Sequence, residues 1–363
     1  PILDPSGAAV AGVEVTARNV DTNATRATTT DDGGLYAIGP VAIGTYEVTV
    51  KPANMEAAMQ QVYVSLGGRA NATFNLGMKP VNVSIDVVGD APNAIEPAQT
   101  FSKSVLTELQ LRNLPAPGRR IKNLFLLTPA TQVEPECGGF TISGQKGIFI
   151  GMNVDGGDVT SSHFCGHIEA GPSYTIEALQ EFQVLRSTFS AEFGRSTGGI
   201  INLATKSGTN QFHGSAFELY RSDKTTAVDA FKREQLGRGN QFGGSFGGPI
   251  RKDKTFYFGA AEIQYNNKPV KVLYNQLDLL NLRNTAGAQA LLGVAPEDGL
   301  TAVGNSQSYV NRLDHHLNDN HYLTVRFDYT RSRISNSIPT TTSFINNNGL
   351  PSDSITSRDV VNA

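Results

Sequence analysis

The sequence has no tryptophan, only two cysteines and no long apolar run. No stretch approaches the roughly 18 consecutive apolar residues of a membrane-spanning helix, which excludes a helical membrane protein. The strands of a membrane β-barrel alternate between apolar and polar residues, so the lack of a long apolar run does not exclude a β-barrel. Basic and acidic residues nearly balance, 30 against 33, which excludes nucleic-acid binding through bulk positive charge. The abundance of glycine, 37 residues, indicates a β-rich and turn-rich protein.

The cysteines are Cys137 and Cys165, and in an oxidising compartment they could form one disulfide. His163 and His167 flank Cys165 and suggest zinc, with Cys137 or Asp158 as a fourth ligand. Zinc ligands are usually separated by two to four residues, whereas one residue separates each ligand here. We therefore predict a disulfide in a surface loop, with no metal and no cofactor.

Residues 1–79 alternate between apolar and polar side chains, most clearly at 13–18, 46–51 and 70–76. Each run predicts a strand with one buried face, and turn signals lie between the runs. The motifs at 4–15 and 30–36 resemble the carboxypeptidase regulatory-like, or transthyretin-like, domain. That resemblance implies a small β-sandwich without catalysis, because the zinc peptidase domain of that family has no counterpart here.

Residues 80–98 are interpreted as a linker, and 99–210 as a mixed α/β domain. Three helices are predicted. Ser104 could cap the first, whose leucines lie at 106, 109 and 114, and Ser173 could cap the third, over 176–182. The second contains Ile121, Leu124 and Phe125 and ends before Pro129. Strands are expected at 140–143, 148–155, 182–186 and 200–205.

The α/β domain carries three ordered motifs, Glu181-Phe-Gln-Val-Leu-Arg186, Glu192-Phe-Gly194 and Gly198-Gly-Ile-Ile-Asn-Leu-Ala-Thr-Lys206. Together they resemble the plug signature of TonB-dependent outer-membrane receptors. Ser187-Thr188 replaces the usual Gly-Pro, and Phe193 replaces the usual tyrosine. With these departures and the motifs at 113–119 and 154–157, the sequence resembles the Oar-like branch of these receptors. Members of that branch carry a regulatory-like sandwich before the plug.

The resemblance implies a set of plug-signature residues: Arg119, Asp155, Gly156, Glu181, Arg186, Glu192, Gly194, Arg195, Gly198, Gly199, Asn202 and Lys206. The glycines would allow close backbone packing. Charged members such as Arg186, Glu192 and Arg195 could form charge-assisted bonds to a polar barrel wall. Alternatively, these residues are ordinary surface charges and turn glycines.

The alternating stretch 83–88 is the candidate TonB box, which TonB would contact by strand addition through main-chain bonds. Its residues are Val83, Ser84, Ile85, Asp86, Val87 and Val88. An equally supported alternative is that this stretch is the last strand of the sandwich or part of the linker.

Longer alternating strands return in residues 211–363 and match transmembrane barrel strands with apolar residues outside and polar residues inside. Five strands are predicted, at 213–221, 240–250, 255–266, 307–317 and 321–333. Phe242, Phe246 and Ile250 should share the outer face. The intervening segments 222–239, 267–305 and 332–358 are long and polar. Receptors of the resembled family close about 22 strands, so we expect an N-terminal part of a larger receptor. A soluble β-sandwich is the alternative.

The predicted fold is mainly β: a transthyretin-like sandwich, an α/β plug and the first antiparallel strands of an incomplete barrel. No phosphate loop, nucleophile elbow or paired carboxylates indicate an enzyme. The resemblance implies plug-gated, energised uptake of a scarce solute, with TonB and outer-membrane lipid as partners. The substrate could be a small molecule, an oligosaccharide or a peptide. The location would be the outer membrane of a Gram-negative bacterium, with the sandwich in the periplasm. The alternative is a surface-exposed binding or adhesion protein without active transport.

Overall fold

A computed structural model of the chain describes most of its 363 residues. The residues outside the description are 53–54, 56, 78–86, 89–101, 115–118, 120, 135–139, 161–173, 188, 190–192, 195, 226–236, 272–298, 319–320, 336–359 and 363. Within the described part, no helix is both long and apolar enough to cross a membrane.

The N-terminal unit is the expected β-sandwich. Its strands are β1 (Ile2–Leu3), β2 (Glu14–Asn19), β3 (Thr25–Thr29), β4 (Gly44–Lys51), β5 (Ala58–Val64), β6 (Phe74–Asn75) and β7 (Val87–Val88). One sheet has the order β3-β2-β4-β5-β7, and β1 pairs with β6 in a second. Alternate residues of β2 and β4, among them Val15 and Val50, enter a core that also holds Ile2, Phe74 and Leu76. Full burial of each such side chain contributes about 1.5–3 kcal/mol.

The second unit, here called the plug, is a mixed sheet with two short helices packed against it. Its elements are β8 (Ser102–Thr107), α1 (Glu108–Asn113), α2 (Ile121–Phe125), β9 (Thr131–Val133), β10 (Phe140–Ile142), β11 (Ile150–Val154), β12 (Gly157–Asp158), β13 (Leu179–Ser187) and β14 (Gly199–Thr205). The main sheet has the order β12-β11-β14-β13-β8, in which only β11 and β14 are parallel. Phe125 and Phe182 pack edge to face between the helices and the sheet.

The first predicted helix is wrong at its start. Ser104 lies inside β8, which pairs with β13, and the helix begins only at Glu108 after the N-cap residue Thr107. The Thr107 amide donates to the Gln110 side chain at 3.0 Å. Pairing with β13 satisfies the backbone of 102–107, so tertiary context overrides the leucine spacing. As a result Leu109 is 71% exposed.

The third predicted helix is also wrong. Its predicted cap, Ser173, lies outside the described residues. A single 3-10 turn, Ile176–Ala178, follows Thr175, whose hydroxyl accepts the Glu177 amide at 3.2 Å. The chain then enters β13, which lies between β14 and β8 and therefore pairs on both edges. Those ladders outweigh the helical spacing of 176–182.

The third unit is an antiparallel sheet of long strands in chain order. They are β15 (His213–Arg221), β16 (Arg238–Arg251), β17 (Thr255–Lys271), β18 (Gly299–Asn318), β19 (His321–Ser335) and β20 (Val360–Asn362). The five predicted strands are confirmed, and β20 is additional. β17 and β18 pair beyond their predicted ends, up to Lys271 with Gly299, inside the segment 267–305 expected to be loop. Main-chain bonds need no apolar alternation, so hydropathy missed these ends.

The outer face of the barrel sheet exposes apolar side chains, as expected. Phe246 and Ile250 are 55% and 66% exposed there, whereas Gln241 on the other face is 5% exposed. The inner face departs from the expected polarity, because Phe258 and Val310 are buried and join the core of the plug. The barrel wall therefore contacts the plug through both apolar and polar side chains.

Candidate plug–barrel interface

Asp155 lies in the turn that follows β11 and contacts both the plug and the barrel. Asp155 and Gly156 have positive φ angles of 47° and 85°, which bend the chain sharply. The Asp155 carboxylate accepts the Thr205 amide at 2.9 Å and the Thr205 hydroxyl at 2.6 Å. It also pairs with Nη1 of Arg326 at 2.9 Å and of Arg312 at 3.5 Å. One carboxylate thus joins β14 of the plug to two barrel strands.

Both arginines are held in place by aspartates two positions further along their own strands. Arg312 Nε donates to Asp314 at 2.8 Å, and Arg326 Nε donates to Asp328 at 2.8 Å. Residues two apart in a strand share a face, so each pair points inward together. The Tyr174 hydroxyl of the plug donates to Asp328 at 2.8 Å. These charge-assisted bonds orient the guanidinium groups toward Asp155.

A second polar contact centres on Glu177. Arg119 Nη2 pairs with the Glu177 carboxylate at 2.7 Å, and the Ser215 hydroxyl of β15 donates to it at 2.7 Å. The Arg119 guanidinium also lies 4.3 Å from the centre of the Phe217 ring. Burial alone would raise the pKa of Glu177, but the Ser215 bond and the Arg119 charge outweigh it and lower this pKa. The carboxylate is therefore held charged against the barrel wall.

The plug segment 174–177 reaches three barrel strands within four residues. Tyr174 contacts β19 and Glu177 contacts β15. Between them, the Thr175 hydroxyl donates to Glu262 of β17 at 2.5 Å, and Gln241 donates to the other Glu262 oxygen at 2.5 Å. This short segment precedes β13, so the sheet of the plug is tied to the wall at the start of one of its middle strands.

Glu181 faces the sandwich. Its carboxylate is fully buried and accepts the Tyr63 hydroxyl at 2.5 Å and the Leu66 amide at 2.8 Å. Burial raises the pKa of Glu181, and the two hydrogen bonds offset this only in part. The structure thus brings one predicted signature residue into contact with the N-terminal domain.

Three further signature residues bond to partners inside the plug. The partners are Ser104 for Arg186 (2.9 Å), Gln183 for Asn202 (3.3 Å) and Glu108 for Lys206 (2.9 Å). These contacts link β8, α1, β13 and β14 with one another. Their arrangement supports a rigid plug, and the proposed roles of the residues stay predictions.

Two of the signature glycines lie where the backbone is tightly packed. A Cβ on Gly199 would lie 2.9 Å from the Leu185 carbonyl oxygen, and one on Gly198 would lie 2.7 Å from Gln145 Cβ. The φ angle of Gly199, 156°, also favours glycine. Gly194, by contrast, has open space around it.

Several predicted site residues lie outside the described residues. They are residues 83–86 of the candidate TonB box, Glu192, Arg195, Cys137 and Cys165, together with His163 and His167. The last two residues of the box, Val87–Val88, form β7 and pair in parallel with β5 of the sandwich. That pairing matches the alternative of a last sandwich strand at these two positions.

Sequence reasoning missed the barrel half of the interface and also the plug segment 174–177. Arg312 and Arg326 were not selected because single charged residues on a strand resemble ordinary lumen polarity. A usable signal was present, since Arg-x-Asp occurs at 312–314 and again at 326–328. The two tripeptides are in register on neighbouring strands, with Arg312 opposite Arg326.

Comparison with known proteins agrees with this architecture. Residues 2–77 match the carboxypeptidase regulatory-like domain, and residues 204–276 match an outer membrane beta barrel domain. The TonB-dependent transporter Oar of Myxococcus xanthus is 26% identical over 345 residues, which cover 88% of this chain. Over most of its length the chain is thus similar to TonB-dependent receptors. These homologues are TonB-dependent transporters and receptors, which are not enzymes.

Other receptors are similar over smaller parts. The probable siderophore receptor PirA of Acinetobacter baumannii is 34% identical over 82 residues, 22% of this chain and 10% of PirA. The solved transporter YddB of Escherichia coli superposes with a TM-score of 0.49 at 13% identity, covering 64% of this chain and 33% of YddB. The chain spans about a third of the length of Oar, 32%.

Proposed function

We propose that this receptor is an energised outer-membrane transporter in which TonB moves the plug to admit a scarce solute. The observation that carries the proposal is the position of Asp155, which joins the plug to Arg312 and Arg326 of the barrel. When the plug separates from the wall, these charged groups return to water, and their hydration offsets part of the attraction that is lost. The remaining apolar contacts, at Phe258 and Val310, keep the plug seated at rest.

TonB would engage residues 83–88, which follow the sandwich and precede the plug in the chain. Strand addition uses main-chain bonds and makes small demands on side chains. For TonB to reach this segment, the sandwich must lie in the periplasm. A pull on the segment reaches β8 first, and β8 pairs with β13, which directly follows the three barrel contacts at 174–177.

The test is binding of the periplasmic domain of TonB to the detergent-solubilised receptor. Ile85→Pro removes an amide and should weaken binding about tenfold or more, since proline cannot continue a strand ladder. Ile85→Ala is the matched control and should bind within about threefold of the unchanged protein, because main-chain recognition tolerates it. Equal binding by both variants would contradict this proposal and favour the surface-binding alternative.

A further inference from the structure

The sandwich has a buried contact with the plug. Tyr63 and Leu66 both donate to Glu181, which has no exposed surface. Gly67 beside them has a φ of 59°, and a Cβ there would lie 3.2 Å from the Gln183 side chain. The turn at 65–68 therefore rests directly on β13.

The sandwich touches the barrel at a second contact on a different part of its surface. The Asn23 side chain donates to the Asp253 carboxylate at 2.8 Å, and the Asn210 side chain donates to the same oxygen at 2.8 Å. Asp253 lies in the tight turn between β16 and β17. The Asn210 amide in turn donates to the Asp21 carbonyl at 2.9 Å. The hairpin loop 19–25, the plug–barrel connection and the barrel turn thus form one hydrogen-bonded group.

A cleft of about 790 Å³ lies at the junction of the three units. Its lining includes Arg26 and Tyr46 of the sandwich, Gln180 of the plug and Tyr322 of the barrel. Polar and charged side chains make up much of this lining. Among the described residues, the hydrogen bonds at the two contacts tie the sandwich to the plug and to the barrel.

We propose that the sandwich is a brace, which links plug strand β13 to the first barrel turn and holds the plug in place until these polar bonds open. The brace does not depend on the transport proposal, because it would restrain the plug whether or not TonB engages. Two anchors on one rigid domain couple their targets, so loss of either anchor should loosen the other. A domain attached at one place, or independently at two, would not transmit such an effect.

Hydrogen exchange of the full chain in detergent, followed by mass spectrometry, tests the brace. Tyr63→Phe removes only the hydroxyl that donates to Glu181. We expect about fivefold faster exchange in β13, as for loss of one hydrogen bond, and a similar increase at the remote segments 19–25 and 251–254. Tyr36→Phe is the matched control, since the Tyr36 hydroxyl donates to the Ala72 carbonyl within the sandwich at 2.8 Å. It should leave the remote segments unchanged.

A second variant alters the contact between the sandwich and the barrel and tests the same proposal from the other side. Asn23→Gly removes the bond to Asp253, together with the bond that Asn23 accepts from Arg18 inside the sandwich. It preserves the left-handed backbone, because Asn23 has a φ of 58°. Faster exchange in β13 of this variant would support the brace. Changes confined to the mutated contact in both variants, or identical remote exchange in Tyr63→Phe and Tyr36→Phe, would overturn it.

Discussion

Glu177 and Glu181 lie four residues apart in the plug, yet they meet different neighbours by different chemistry. Glu177 faces the barrel and has a cation, Arg119, beside it. Glu181 faces the sandwich and has a hydroxyl and a backbone amide as its two bonded partners. The pKa of Glu177 is lowered and that of Glu181 is raised, although both are buried.

The difference shows how one plug can hold two neighbours with unequal strength. Paired charges stabilise the contact with the barrel in the charged state. At the contact with the sandwich, burial of the Glu181 carboxylate outweighs its two hydrogen bonds and the charge of Lys103, which opposes the charged state and makes undocking easier. The sandwich contact should therefore release before the barrel contact.

The largest expected effect comes from removing the centre of the barrel contact. Asp155→Ala leaves Arg312 and Arg326 without their shared partner and should cost about 3 kcal/mol in the free energy of unfolding of the plug. Urea-dependent pulse proteolysis would measure this cost. Asp158→Asn, which removes the charge of an exposed residue on β12 and keeps an oxygen for the Thr160 amide, is the control and should change stability by less than about 0.5 kcal/mol. Equal effects would show that Asp155 holds no special position.

Effects of intermediate size are expected when the two glutamates are replaced by glutamine. Their contributions to the free energy of unfolding should change in opposite directions as pH changes. A lowered pKa contributes stability above the ordinary value of 4.5, and this is lost as pH falls through the folded-state value. Glu177→Gln should thus cost about 1 kcal/mol at pH 7 and less below pH 4.5.

For Glu181 the raised pKa means that stability is present below 4.5 and is lost as pH rises through the folded-state value. Relative to the unchanged protein, Glu181→Gln should therefore be better tolerated at pH 7 than at pH 4. The measurement is the same proteolysis series at both pH values. Parallel pH profiles for the two variants would contradict the comparison.

The smallest effect is expected at an exposed ion pair of the plug. Arg112 pairs with Glu108 at 2.8 Å on helix α1, and both side chains are largely exposed. Arg112→Ala should change stability by about 0.5 kcal/mol or less, because solvent screens such pairs. A loss comparable to that of Asp155→Ala would mean that exposed charges, rather than those between the units, hold the plug.

Much of the fold was predictable because strand alternation and turn chemistry are local. The strand at 213–221 has the predicted bounds, and Asp4 and Asp31 organise the predicted turns by accepting nearby amides. The failures at 102–107 and 179–182 have one cause, since both segments pair within the plug sheet despite helical spacing. Strand pairing between distant segments leaves no mark in a short window.

The candidate site divides in the same way. Asp155 and Glu181 could be predicted as site residues because each belongs to a contiguous sequence motif, which is a local pattern. Their partners, Arg326 and Tyr63, lie 171 and 118 residues away in the chain. Residue pattern thus sufficed for the three units and for Asp155 and Glu181, but it did not indicate the plug residues 174–177 or the partners in the other units. Which unit each carboxylate meets, and hence the direction of its pKa shift, depends on burial and on charges that only the packed chain brings together.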